Sequence, residues 1–476
     1  MNINFFKKNK FSIAAVLIAV LIVIFCFDKG LSLGLALLLV LSGITFLVLN
    51  NLGFKNKKIY LLFLIALAIH LGTTLFMHYA DFQPFSGHGG DYLWYQRSAV
   101  EIAQSFRQGI FSIKDIAIKY PDLYTDHYYP VVVGTVYALT MPAEIIGLMI
   151  NVWLVALSII FVYLIILEIG GTETNASIIG LVTAVYPGYI FNAGLLLKDA
   201  LEICFVILGL LFLIKIIKKF TWYKFLVLCL ALICVTHFRF YIGYALIITF
   251  ILSWFLFADM DFKKRIIYGI VFIVILGFIP QIAGNQGYYG VNLIAAYLNP
   301  ERVNYYRQLA YNPAYNGPTP TASTAPTAST APTSSTAPAN PTSIVGLDSS
   351  FPVESTPLGY LKSFVYVLLG PFPWQIKNPR QLLALFETIP WYLLLFFVVS
   401  GTIVVFKKRV KEAIPLLIFS ILAMVVIAVF DSNFGLIVRI RIPAFISLLC
   451  IASLGFNKSN IVYNIISNYF KKIHAL

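Results

Sequence analysis

The chain has 476 residues, of which 60% are hydrophobic and 11% charged, with a mean hydropathy of +0.86. That balance excludes an ordinary soluble domain and leaves a polytopic helical membrane protein, because a helix satisfies its own backbone hydrogen bonds across a hydrocarbon core about 30 Å thick. The net charge of +14 does not point to a nucleic-acid partner: the basic residues sit in short clusters between apolar runs, such as Lys55, Lys57 and Lys58 or Lys407, Lys408 and Arg409, the pattern of cytoplasmic anchoring.

Taken in order, spans are expected near 11–27, 31–49 and 59–77, with Asp28, Lys29 and Gly30 as a tight outer turn. No small-residue cleavage site follows Phe27, so the first apolar run reads as an uncleaved span. With the first two lysine clusters inside, the third span delivers a polar loop, 80–129, to the extracytoplasmic side. From Tyr95 onward, Ala99, Ile102, Ala103, Phe106 and Ile110 recur at helical spacing, which predicts an amphipathic helix lying on the membrane surface.

Four apolar candidates follow, at 130–140, 145–167, 176–191 and 200–217. The basic run 215–219 belongs inside, so one of the four is expected to be re-entrant, and 130–140, short and close to Pro142, is the natural choice. A pair at 225–236 and 242–257 is joined by the outer turn His237 to Tyr241, and 266–282 crosses outward. The long outer loop 285–388 contains a Thr/Ala/Ser/Pro repeat at 318–343, too poor in apolar surface to offset the entropy of ordering. It is either an insertion in a tolerant loop or a glycosylated stalk. Residues 361–369 and the run PFPWQIKNP are expected as a short interfacial element. Spans at 391–405, 414–430 and 437–454 close the chain, with the tail 456–476 inside. The fold class is therefore all-α and polytopic, with about 11 to 13 transmembrane helices, organised as 1–58, 59–284, 285–388, 389–455 and the tail. The cysteines Cys26, Cys204, Cys229, Cys234 and Cys450 lie in apolar runs without metal-ligand spacing and read as core residues.

This topology places Asp91, Asp126, His127, Lys198, Asp199, His237, Arg239, Asp431, Arg439 and Arg441 at or just beyond outer ends of spans. Ionisable groups close to hydrocarbon are costly, so they are usually paired or functional. Arg239 among aromatic residues, Arg439 and Arg441 flanking Ile440, and Lys198 beside Asp199 point to a phosphate held at headgroup level, since a guanidinium fork engages two oxygens at once. Each taken singly is equally a snorkelling anchor or a structural ion pair. Asp91 follows Gly89 and Gly90 and either takes a proton from an attacking hydroxyl or caps the helix. His88 and His127, with no motif between them, read as hydrogen-bonding partners in preference to metal ligands.

Several stretches in order resemble the GT-C superfamily of membrane glycosyltransferases, in the branch of the protein O-mannosyltransferases and aminoarabinose transferases (family 39-like). They are GGDYLWYQRSAVEIAQ in the first outer loop, DHYYPVVVGTVYAL at the next entry, AVYPGYIFNAGLLLKDALE, PFPWQIKNPRQLLALFE and VRIRIPAF near the end. Tyr92 stands where many relatives have Glu, and Pro130 alone remains of a double proline. The resemblance implies a catalytic outer loop and inverting transfer of a sugar from a polyprenyl-phosphate donor to a protein, lipid or glycan acceptor at the extracytoplasmic face. Asp91 would be the general base, and Arg239, Arg439, Arg441 and Lys198 would hold the donor phosphate. Tyr92, Asp126, His127, Asp199 and His237 are further candidates. No cofactor is implied with certainty, and a requirement for a divalent cation stays open. A lipid-linked polysaccharide polymerase or ligase, and a transporter or flippase for lipid-linked glycans, are the competing readings.

Overall fold

The computed structural model describes residues 10–54, 56–82, 90–112, 115, 116, 119, 128–275, 299, 301, 303–305, 356–375, 379–431 and 434–456; His88, Asp126, His127 and the repeat at 318–343 lie outside the described residues. Among the described residues the chain is helical, without a strand. Seven helices among the described residues are long and apolar enough to cross a membrane, or eight if one bent pair is a single span. The architecture is that of an α-helical multi-pass membrane protein.

The chain divides into two compact units. The first comprises Met1–Phe82, Gly90–Leu157 and Ile190–Leu201. Its opening hairpin joins α1 (Lys10–Phe27) to α2 (Lys29–Asn51) through Asp28, whose carboxylate accepts from the Leu31 amide at 2.8 Å and so caps α2. The buried positions of α2 include Gly30, Ser32, Gly34, Ser42 and Thr45, a stripe of small residues that lets backbones approach. It meets α6 (Glu144–Glu168): a Cβ on Gly30 would lie 2.9 Å from Ala143 and one on Gly34 3.0 Å from Met149, while Trp153 donates to the Thr45 hydroxyl at 2.9 Å. The first two helices are thus packed into this unit. α3 (Lys57–Tyr79) returns the Tyr79 hydroxyl to Asp28 at 2.5 Å.

The loop helix α4 (Asp91–Arg107) forms where periodicity predicts it, but its apolar stripe is spent on α5 (Tyr129–Leu139). Tyr95, Ala99, Ile102 and Ala103 are buried, and a Cβ on Gly134 would come within 2.9 Å of the Ala99 carbonyl. The opposite side carries Leu93 and Trp94, both exposed, with the Arg97 guanidinium 5.8 Å from the Trp94 ring, the amphipathic grouping suited to a headgroup layer. At 11 residues, α5 is too short to cross. Its last carbonyls are taken by Arg107, which donates to Tyr137 at 2.8 Å, Ala138 at 3.1 Å and Thr140 at 2.9 Å.

The second unit comprises Gln83–Gly89, Ser158–Tyr189 and Glu202–Leu476. Here α7 (Glu173–Ala184) and α8 (Pro187–Ala193), which ends in the first unit, are bent by 55° where Pro187 interrupts the ladder. The expected continuous span at 176–191 is this broken element. α9 (Asp199–Lys218), α10 (Trp222–Phe238), α11 (Phe240–Phe257) and α12 (Phe262–Ile275) follow, then α13 (Pro357–Leu369). α14 (Pro379–Lys408) begins well before the expected 391 and carries Pro390 inside it. α15 (Ile414–Phe430), the short α16 (Phe434–Ile440) and α17 (Ile442–Gly455) close the unit. α14 and α17 pack backbone against backbone: a Cβ on Gly401 would run into the Ile451 carbonyl, and one on Gly455 would lie 2.5 Å from the Phe397 carbonyl.

Candidate functional site

Asp91 is the first residue of α4, and the cap position belongs to Gly90, which has no side-chain cap bond to give. The carboxylate is exposed, whereas Tyr92 is buried. Beside α4, the Tyr137 hydroxyl donates to Gln96 at 2.6 Å and Tyr129 donates to Asn151 at 3.1 Å. The Asn151 amide in turn donates to the carbonyls of Leu195 and Leu197 at 2.9 and 3.2 Å, satisfying backbone that leaves the helical ladder between α8 and α9. Lys198 and Asp199 end that stretch, both buried, with Asp199 in electrostatic reach of Tyr129. This is the first unit's polar core.

The second unit gathers a different set. Arg239 is the single residue between α10 and α11, extended at φ −153°, and its side chain is buried. Its Nε lies 3.1 Å from Glu202 on α9, and both side chains are almost wholly enclosed. The guanidinium is also 5.9 Å from the Tyr241 ring, which stacks on Phe430. Arg239, Asp431, Glu202 and Arg439 all act electrostatically on Tyr241, so four charges from four parts of the chain converge there. Burial pushes the Asp431 carboxyl up to about 7, against the downward pull of Arg239. Asp431 Oδ2 is buried with no hydrogen-bond partner among the described residues. Two arginines and two carboxylates with an aromatic wall can hold a phosphorylated group or relay a proton.

Arg441 does something else. It is fully buried and donates to the carbonyls of Val367 at 3.0 Å and Gly370 at 2.5 Å, and to Glu387 at 2.9 Å. Trp391 and Tyr392 donate to Leu368 and Leu369 at 2.8 and 2.7 Å, so the carbonyls of the last three residues of α13 and of the Gly370 that follows are all satisfied by side chains. The Glu387 carboxylate also accepts from Tyr186 at 3.0 Å and fills the space that a Cβ on Gly188 would need. Both terminal nitrogens of Arg441 are thus committed to the fold, while its Nε is buried with no hydrogen-bond partner among the described residues; Arg239 and Arg439 are the arginines that act on Tyr241.

Of the other predicted residues, His237 sits half-buried with Nδ1 2.8 Å from the Ile233 carbonyl of its own helix, and Asp126 and His127 fall outside the described residues. Glu202 and Glu387 carry contacts that sequence reasoning did not assign. Glu387 had a readable signal: an acid inside the apolar run before Pro390 needs a buried partner, and the chain has few free arginines to supply one. Among the described residues, no group of three or more His, Cys, Asp and Glu side chains could hold a metal ion. Compared with protein-family models, curated proteins and solved structures, the chain has no match.

Proposed function

We propose that the chain is a membrane glycosyltransferase of GT-C type that transfers a sugar from a polyprenyl-phosphate donor to an acceptor at the extracytoplasmic face, with inversion. Asp91 serves as general base, and Arg239 and Arg439 bear on the donor phosphate. The observation that carries the reading is the charged cluster around Tyr241 at helix ends in an otherwise apolar bundle. Membrane proteins enclose such groups chiefly where they handle a charged ligand. The ordered sequence resemblances supply the chemistry, and the lipid-linked donor suits a protein whose short lysine-rich loops offer no room for a nucleotide-sugar domain. Among the described residues seven helices, or eight with the bent pair, are long and apolar enough to cross; the proposed count of about 11 to 13 requires shorter helices to cross as well.

The test is transfer from a synthetic polyprenyl-phosphate sugar by the purified full chain. Wild type is expected to turn over, and Asp91→Asn to lose at least about a hundredfold. Arg439→Gln is expected to raise the KM for donor more than it lowers kcat. Equal rates for wild type and Asp91→Asn remove Asp91 from the mechanism. A second reading, a carrier for lipid-linked glycans, is favoured by the α7–α8 break, because interrupted helices commonly line transport sites. Lipid-linked glycan crossing a vesicle wall without sugar transfer would select it.

A further inference from the structure

A cavity at the Asp28 turn is used by none of the chemistry above. It measures about 440 Å³, and Phe25, Asp28, Lys29, His78, Met141 and Glu144 are among its lining residues. That volume lies within the roughly 300–1,000 Å³ of small-molecule sites. All of these residues belong to the first unit.

Its charges are unevenly committed. Asp28 is already engaged by the Leu31 amide and the Tyr79 hydroxyl, and the Tyr79 hydrogen bond above all holds its carboxyl below the usual carboxylate range. Glu144 faces His78 at 3.8 Å, beyond hydrogen-bond length, with about a third of its side chain exposed. Lys29 has its ammonium 5.9 Å from the Phe25 ring and no carboxylate partner among the described residues. The cavity thus presents an ammonium and a carboxylate that each have capacity to spare, beside aromatic and thioether walls.

Position narrows the ligand. The turn joins α1 to α2, and α2 is 23 residues long and apolar enough to cross, so a ligand there sits at the level of lipid headgroups. Val16, Ile18, Ile22 and Phe25 on α1 and Phe76 on α3 are exposed, an apolar surface over which acyl chains can lie. We propose that this cavity holds the headgroup of an amine-bearing phospholipid from the surrounding leaflet, its phosphate against Lys29 and its ammonium against Glu144. A lipid with an anionic phosphate but no amine satisfies only the lysine. This site does not depend on the transferase reading.

The full chain, purified in detergent, is incubated with dioleoyl phosphatidylethanolamine or dioleoyl phosphatidylglycerol, and retained lipid is counted by native mass spectrometry. Wild type is expected to retain the ethanolamine lipid about tenfold better, as one charge-assisted hydrogen-bonded contact predicts. Glu144→Gln should erase that preference, and Lys29→Ala should weaken both lipids about tenfold. Lys29 is exposed, so its variant keeps the test decisive if Glu144→Gln does not fold. Equal retention of the two lipids by wild type overturns the proposal, as does undiminished retention in Lys29→Ala. Displacement of the lipid by free O-phosphoethanolamine at concentrations equal to those of the lipid also overturns it, since the site would then serve a soluble phosphoamine. No sugar transfer is measured, so the outcome is separate from that of the Asp91 assay.

Discussion

Glu387 and Arg441, 54 residues apart in the chain, meet at 2.9 Å with both side chains almost wholly enclosed. Removing one member of such a pair strands the other charge in a medium that cannot solvate it. Glu387→Ala is therefore expected to destabilise the protein by roughly 3–5 kcal/mol. Thermal unfolding in detergent measures this, and the double variant Glu387→Leu with Arg441→Met should recover part of the loss. A single variant as stable as wild type would show that the pair is dispensable.

Arg107 serves α5 much as Arg441 serves α13, by donating to carbonyls that the helix itself leaves over. Arg107 is exposed, so the contribution is smaller, about 0.3–1 kcal/mol. Arg107→Ala should accelerate amide hydrogen exchange in 129–139 while leaving exchange in α14 and α17 unaltered.

Glycine offers a paired test of packing. Ala at Gly401 would drive its Cβ into the Ile451 carbonyl, whereas Gly43, also helical, has nothing within 4 Å of the same position. Gly401→Ala should destabilise by about 1–3 kcal/mol, and Gly43→Ala should be neutral or slightly stabilising through helix propensity. Equal melting temperatures for the two variants would contradict the packing described.

Asp431 predicts a pH dependence of defined sign. Its folded value of about 7 lies above the ordinary 3.8, so its contribution to stability is complete below about 3.8 and is lost as pH rises through about 7. The charges facing this region are Arg239 between α10 and α11, Glu202 on α9 and Arg439 on α16, with Tyr241 on α11. The melting temperature should fall between pH 5.5 and pH 8. Asp431→Asn, which cannot ionise, should flatten that slope, and an unchanged slope would assign the titration to another group.

Hydropathy made most span positions legible, because a 20-residue apolar run has few alternatives in lipid. The amphipathic period of α4 was equally plain, but a period says which residues are buried and not what buries them; α5 takes the stripe. The break at 185–186 was hidden because a proline in an apolar run reads as a kink or as nothing until the bend is seen. α14 was misjudged at its start: Pro379 is compatible with a helix's first turn, so the helix extends far enough to bring Glu387 inward. The charged residues of the candidate site could be picked out by their scarcity. Their partners could not, since the Arg239–Glu202 and Arg441–Glu387 contacts depend on tertiary packing, and the two conspicuous arginines near the end of the chain have different fates.

The glycine contact of α14 with α17 also bears on how the protein is made. α14 leaves the ribosome before the helix that covers it, so the nascent chain passes through a stage in which the groove at Gly401 is uncovered and Glu387 awaits its counterion. Chains arrested before residue 441 carry an unmatched acid inside the insertion machinery, a signal by which cellular quality control can recognise and degrade them.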